Sequence, residues 1–354
     1  MEAINPVELH NRGVRLAREH RYSEAVDCLC RATEAGQVAS YTALYATFIA
    51  CSRISEAWQA ARTYLSFAPH DYNFANQHFR EIFKYGLTLR PAYKQVSVGD
   101  RPFVSFVICS HRDARFSAVR QEIERAAMEY PHEIIRIADA KCMSEGYQRG
   151  FNQSQGEIVV LCHDDIEFVI PDFMARLIAV MAGADMVGVA GSQRMTGPGV
   201  LFDGHPYIIG RVVQPHTEVT GGGQAAGYGL RMASLTTLRS PAQVLDGVFI
   251  AARRALLSAL RFDTAIPGFH YYDVDLSYRA HLSGARVVVA SDLTLFHNSM
   301  GNYDLSWFQA KEYFTSKFPM LSSTQDSATH YYAKEFVDKQ MIHPLAQAFN
   351  DALS

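Results

Sequence analysis

The hydrophobic pattern of the chain changes near residue 100. From Asn5 to about Tyr93 apolar positions recur at helical spacing throughout. "GVRLAREHRYSEAVDCLCRAT" carries Gly13, Leu16, Tyr22, Ala25, Leu29 and Ala32. The small residues Gly13, Ala25 and Ala32 let two antiparallel helices approach closely, with Leu16, Tyr22 and Leu29 filling between. "YATFIACSRISEAWQAARTYLSFAP" repeats the "SEA" turn at Ser55-Glu56-Ala57 and ends at Pro69. The interval from Ala25 to Ala57 falls within the roughly 20–50-residue period of helical repeat arrays. A more weakly matched third pair, "DYNFANQHFREIFKYGL", caps the array, and "TLRPAYKQVSVGDRP", with its prolines and glycine, reads as a linker.

Beyond the linker, strands and helices alternate. "FVSFVIC" predicts a strand, "DARFSAVRQEIERAAMEY" a helix and "HEIIRIAD" a strand. "MSEGYQRGFNQSQ" predicts a short helix, "EIVVLC" a strand and "DFMARLIAVMAG" another helix. The continuous apolar run "IVVLC" marks a strand covered on both faces. This order predicts an α/β unit with a parallel sheet between helices, and ligands then bind beyond the carboxyl ends of the strands. Polar residues collect at those ends: Ser110-His111-Arg112, Asp139 and His163-Asp164-Asp165.

The composition adds exclusions. A chain of 354 residues with 48% hydrophobic and 19% charged residues suits a medium domain plus a smaller one. A net charge of −3 with no basic block argues against nucleic acid as main partner. No signal peptide is expected from "MEAINPVELHNRG", and no apolar run approaches the ~20 residues that span a bilayer. The six cysteines show no C-x-x-C spacing, which fits reduced thiols and a cytoplasmic location.

Two resemblances follow from these motifs. The helical segment resembles tetratricopeptide repeats, which implies a groove for a peptide or protein, or a surface for self-association into a homo-oligomer. The strand ends "CSHRD", "AD", "SEGYQRGFNQSQGE" and "HDDIEF…PDF" resemble the nucleotide-sugar half of a GT-A-fold, family 2 type glycosyltransferase. "LDGVFIAARRALL", "RFDTAIPGFHYYDVDLSYRAHLSGARVVV" and "LFHNSMG" are similar to its acceptor half. The expected layout is a helical domain over 1–94, a linker over 95–101, a GT-A domain over 102–325 and a helical tail over 326–354.

The chemistry accords with the resemblance. A departing nucleoside diphosphate gains negative charge, which a divalent cation such as Mn2+ or Mg2+ on hard oxygen ligands offsets. The resemblance implies that Asp165 binds the metal and that Asp164 meets metal or ribose. It implies a third ligand in His297, and Glu167 as a supporting acid. The family usually has aspartate at the first position of its D-x-D cluster; here His163 stands there. Ser110, His111 and Arg112 would hold base and ribose, Asp139 would read a uracil-type imide N–H, and Arg149 would approach base or phosphates. A UDP-sugar donor and a protein or glycan acceptor follow. Tyr272-Asp273 stands where the family has Glu-Asp, so Asp273 is the expected general base and Asp275 the brace of the helix start. Phe269, His270, Tyr271 and Tyr272 serve either an acceptor face or the core. The glycine-rich stretch, residues 221–229, lacks the Lys-Ser/Thr of a phosphate loop and is expected as a mobile loop or a surface hairpin. The alternative to an enzyme is a non-catalytic scaffold on a degenerate transferase fold.

Overall fold

In the first helix Pro6 occupies the opening turn, where its missing N–H costs nothing, and the Asn5 side chain accepts from Val7 N at 3.0 Å. The structure is a computed structural model that describes residues 5–88, 101–195, 197, 207–220, 223–232, 237–299, 304–321 and 333–354. It comprises two units, one of which holds the helices up to Thr88 together with Gln347–Ser354. Its helices are α1 (Pro6–Arg18), α2 (Tyr22–Glu34), α3 (Ser40–Ala50), α4 (Ile54–Phe67) and α5 (Tyr72–Thr88). A Cβ on Gly13 would lie 2.6 Å from Leu29 Cγ, so only glycine lets α1 and α2 approach this closely. Ala25, Leu29 and Ala32 are fully buried there, as the small-residue pattern predicts. Tyr45, Phe48, Ala57, Trp58, Ala61 and Leu65 bury the α3–α4 pair.

The expected third pair is one helix, α5. Its companion is the helix Ile342–Leu353: the rings of Phe79 and Phe349 pack tilted at 30°, with centroids 5.1 Å apart. The expected linker lies almost wholly outside the described residues.

The second unit is α/β. It begins β1 (Val104–Cys109), α6 (Asp113–Ala126), β2 (His132–Ile137), α7 (Met143–Gln153), β3 (Ile158–Cys162), β4 (Ile166–Phe168) and α8 (Phe173–Met181). Then come β5 (Met186–Gly188), β6 (Ala190–Ser192), β7 (Ile208–Thr220), β8 (Gly223–Met232), β9 (Arg239–Pro241), β10 (Val244–Leu245), β11 (Phe249–Arg253) and α9 (Arg254–Leu260). The series closes with α10 (Tyr272–Leu282), β12 (Val287–Ala290), β13 (Leu295–His297), α11 (Leu305–Lys317), β14 (Ala333–Val337) and α12 (Ile342–Leu353).

The main sheet runs β2-β1-β3-β11-β5-β12-β9. Its pairs β1–β2, β1–β3 and β5–β12 are parallel. The sheet is mixed, however, because β11 lies antiparallel between β3 and β5 and β9 lies antiparallel on β12. An apolar strand looks the same in either direction, so burial predicted the strands but not their sense. A second sheet, β10-β6-β7-β13-β4, carries β8 beside β7 and β14 beside β8. Of the two expectations for the glycine-rich stretch, the hairpin holds and the mobile loop does not: from Gly223 on it is strand β8, paired antiparallel with β7, and residues 221–222 lie outside the described residues. Of the expected C-terminal helical tail, residues 326–332 lie outside the described residues, and strand β14 precedes α12 in the rest.

Side chains alternate along β1 and β3, and both faces are packed. Val104, Phe106, Ile108, Val160 and Cys162 join Val119, Ile123, Phe173 and Leu177 from α6 and α8. Val107, Val159 and Leu161 join Tyr147, Phe151, Leu276 and Ala280 from α7 and α10. Each fully buried side chain of this size contributes about 1.5–3 kcal/mol. Such a two-sided core holds the strand ends rigidly, and those ends carry the polar residues.

Candidate active site

Parallel pairing of Val107 with Leu161 sets Ser110 beside Asp164, and the Ser110 hydroxyl donates to Asp164 Oδ2 at 2.6 Å. Antiparallel pairing of Phe249 with Cys162 brings Val248 and Gly247 alongside His163, whose N–H donates to Val248 O at 3.2 Å. On the second sheet, β13 pairs with β4, His297 opposite Ile166. Three strand ends thus converge.

His163, Asp165 and His297 each place a ligand atom within 4.8 Å of the others. His163 Nδ1 lies 3.1 Å from His297 Nε2, and that nitrogen lies 3.5 Å from Asp165 Oδ1. Asp164, expected among the metal ligands, lies outside this cluster, held by Ser110 and, at 3.4 Å, by Arg115. Arg115 also lies 3.4 Å from Asp165 Oδ2. His163 is pushed down to about 4 by burial and by neighbouring His297, so its ring is neutral at ordinary pH. Asp165 Oδ1 is buried with no hydrogen-bond partner among the described residues. A buried acceptor left unmatched is costly, and a cation would satisfy it. Two imidazoles and a carboxylate oxygen fit a divalent transition metal. Sequence reasoning missed His163 as a donor, although histidine is itself a common ligand type.

Tyr272 ties this cluster to the expected base. Its hydroxyl donates to Gly247 O at 3.1 Å and lies 3.1 Å from His163 Nε2. Asp273 Oδ2 accepts from Gly247 N at 2.7 Å. A Cβ on Gly247 would come within 2.0 Å of the Tyr272 hydroxyl and 2.9 Å of Asp273 Oδ2. Only glycine fits. Asp273 retains some solvent access at the residue level, but its carboxyl is deeply set, and burial followed by the charge of Asp246 raises it to about 7. Asp246, also unanticipated, is raised by burial too. Asp275 is buried and bridges Arg279 at 2.8 Å and Lys317 at 2.6 Å, a brace within α10. Glu167 accepts from Asn298 and pairs with Lys339, beside the cluster rather than in it.

A cleft of about 320 Å³ opens beside Asp164, lined by Ser110, His111, Arg112, Arg115, Met143 and Phe269 among others. Ala138 and Ala140 line it too, which puts the exposed Asp139 at its rim. Asp139 pairs with Arg149 at 2.7 Å, and that hydrogen bond holds its carboxyl below the usual range. Of the four aromatic-stretch residues, Phe269 is exposed in the cleft, His270 is half-buried, and Tyr271 and Tyr272 are buried. Among the described residues no helix is long and apolar enough to cross a membrane.

A cleft at the carboxyl ends of β1–β3 that includes Asp164, with the His163–Asp165–His297 cluster formed by residues next to Asp164 and from β13, is the layout of the GT-A class of α/β glycosyltransferase folds. The chain belongs to the Glycosyltransferase like family, whose profile matches residues 105–317. Among curated proteins no sequence matches it. In structure it is similar to the mannosyltransferase PcManGT from Pyrobaculum calidifontis in complex with GDP-Man and Mn2+, with a TM-score of 0.42 and 12% identity over coverage of 83% of this chain and 81% of that one. Glucosyl-3-phosphoglycerate synthase from Mycobacterium tuberculosis, with Mn2+, UDP and glucosyl-3-phosphoglycerate, gives a TM-score of 0.36 and 14% identity, covering 71% of this chain and 93% of that one. S. aureus TarS 1-349 gives 0.33 and 13%, covering 55% of this chain and 60% of that one.

Proposed function

We propose that the protein is a metal-dependent, inverting glycosyltransferase that moves a sugar from a nucleoside-diphosphate donor to a protein or glycan acceptor. The observation that carries this reading is the unmatched, buried Asp165 Oδ1 set between two imidazoles, on a chain of glycosyltransferase family. His163, Asp165 and His297 would hold the metal, and two nitrogen donors favour Mn2+ over Mg2+. An ion held there would offset the charge that grows on the departing diphosphate. Ser110 and Asp164 meet the ribose, while His111 and Arg112 flank the base in the cleft. Asp139, an acceptor facing a uracil imide N–H, favours a UDP-sugar, with Arg149 holding its carboxylate in place. Arg115, now shared between Asp164 and Asp165, supplies a cation to the diphosphate.

Asp273 takes the proton. As the acceptor hydroxyl oxygen bonds to the anomeric carbon, the bond from that carbon to the diphosphate breaks and the hydroxyl proton passes to the Asp273 carboxylate. The Gly247 N–H orients that carboxylate. A non-catalytic scaffold has no use for a buried acid raised to about 7 beside a second buried acid, an arrangement that destabilises the folded state above neutral pH.

The test is a panel of nucleotide sugars incubated with wild-type protein and Mn2+, with free nucleotide as readout. Release from one donor that stops in EDTA supports the proposal. Release unaffected by EDTA, or none from any donor, removes it.

A further inference from the structure

The two imidazoles of the cluster are held in different ways. Tyr272 gives its proton to Gly247 O, so it receives one from His163 Nε2–H, and the His163 lone pair is left on Nδ1, facing the cluster. His163 is therefore ready to ligate. His297 presents Nε2 to the cluster and Nδ1 to Gln214 of β7. Parallel pairing of Phe296 with Val213 is what sets His297 next to Gln214. The Gln214 amide nitrogen lies 3.3 Å from His297 Nδ1 and donates to Ser299 O at 3.3 Å. In that orientation the amide donates to the ring, so Nδ1 carries the lone pair and the ring proton sits on Nε2. That tautomer cannot ligate. Gln214 Oε1, meanwhile, is buried with no hydrogen-bond partner among the described residues.

The two ends of a side-chain amide are nearly equal in shape, so half a turn exchanges donor for acceptor at little steric cost. Turning it would bring the orphaned oxygen to His297 Nδ1. We propose that Gln214 is a positioning residue for the metal centre, whose Oε1 accepts from His297 Nδ1–H and holds the Nε2 lone pair toward Asp165 and His163. The proposal rests on the metal reading above and deepens it. Partners that orient a ligating histidine in this way are worth roughly 10–100-fold in metal affinity.

The experiment is a titration of the full chain with Mn2+ alone, read from the paramagnetic resonance signal of the free ion. Gln214→Met, similar in length and with only a weakly accepting sulfur, should weaken binding at least ~10-fold. Gln214→Glu, which can only accept, should bind as tightly as wild type or tighter. Circular dichroism on each variant confirms that the fold is kept, and the Glu variant tests the role even where the Met variant unfolds. Unchanged affinity in Gln214→Met, or equal weakening in Gln214→Glu, overturns the role of Gln214 alone. Equal binding by wild type and Asp165→Ala removes the metal reading itself, and this proposal with it.

Discussion

A carboxyl group raised to about 7 is half ionised at neutral pH, and Asp273 is such a group. As a base it works only when ionised, so kcat/KM should climb with pH through about 7 and then level. Asp273→Asn keeps the shape but not the proton acceptor, and kcat should fall by ~100-fold or more with donor binding retained. Stability should move the opposite way. Burial favours the protonated form, so stability present below the unfolded value is lost as pH rises through about 7. Thermal melts at pH 8 should therefore find the Asn variant more stable than wild type, and a less stable variant would contradict the buried-acid account. Asp165→Ala should abolish Mn2+-dependent donor hydrolysis with the melting temperature kept or raised, because it removes an unmatched oxygen and no core packing. Much of this was legible in the sequence: the acids stand directly behind "IVVLC". Not legible was which of three consecutive side chains turns where. His163 and Asp165, two apart, reach the cluster with His297 while Asp164 between them meets Ser110, and all three lie in the turn beyond β3, where strand periodicity no longer applies.

At the scale of elements, apolar runs foretold β1, β3, α6 and α7 to within a few residues, because burial on both faces leaves its mark on composition. Strand direction left no such mark in "FIAAR", which became β11. The cross-chain partners also escaped notice, since Gln214 and His297 meet only through the register of β7 and β13. Two glycines separate packing from chemistry. A Cβ on Gly150 of α7 would stand 2.1 Å from Val107 Cγ1, whereas one on Gly247 strikes Tyr272 and Asp273. Gly150→Ala should cost about 1–3 kcal/mol by denaturant unfolding yet leave turnover per folded molecule near wild type. Gly247→Ala should lose turnover by ~100-fold or more even at a temperature where it stays folded. Equal turnover in the two variants would show that the Tyr272–Asp273 position does not matter.

At the scale of the molecule, the division into a helical and an α/β part was visible in the change of periodicity near residue 100, but the place of the last residues was not. Nothing in "LAQAFNDALS" shows that Phe349 belongs beside Phe79. A chain beginning at Gly99 should accordingly aggregate, its C-terminal apolar face bared, whereas one spanning 99–346 should stay soluble and hydrolyse donor. Loss of transfer to the acceptor, with size unchanged in light scattering, assigns the helices to acceptor recruitment; a drop from dimer to monomer assigns them to assembly.

The Phe79–Phe349 pair also has a meaning in time. A ribosome delivers α1 to α5 first, and domains generally fold as they emerge. This helical unit, however, waits for Gln347–Ser354, which are made only after the α/β unit. Throughout translation the α5 surface around Phe79 and Ile82, fully buried in the finished protein, stands uncovered. A nascent chain stalled before Gln347 should be cut by protease within α5, and released protein should resist. Helices made before the α/β unit are thus finished only after it.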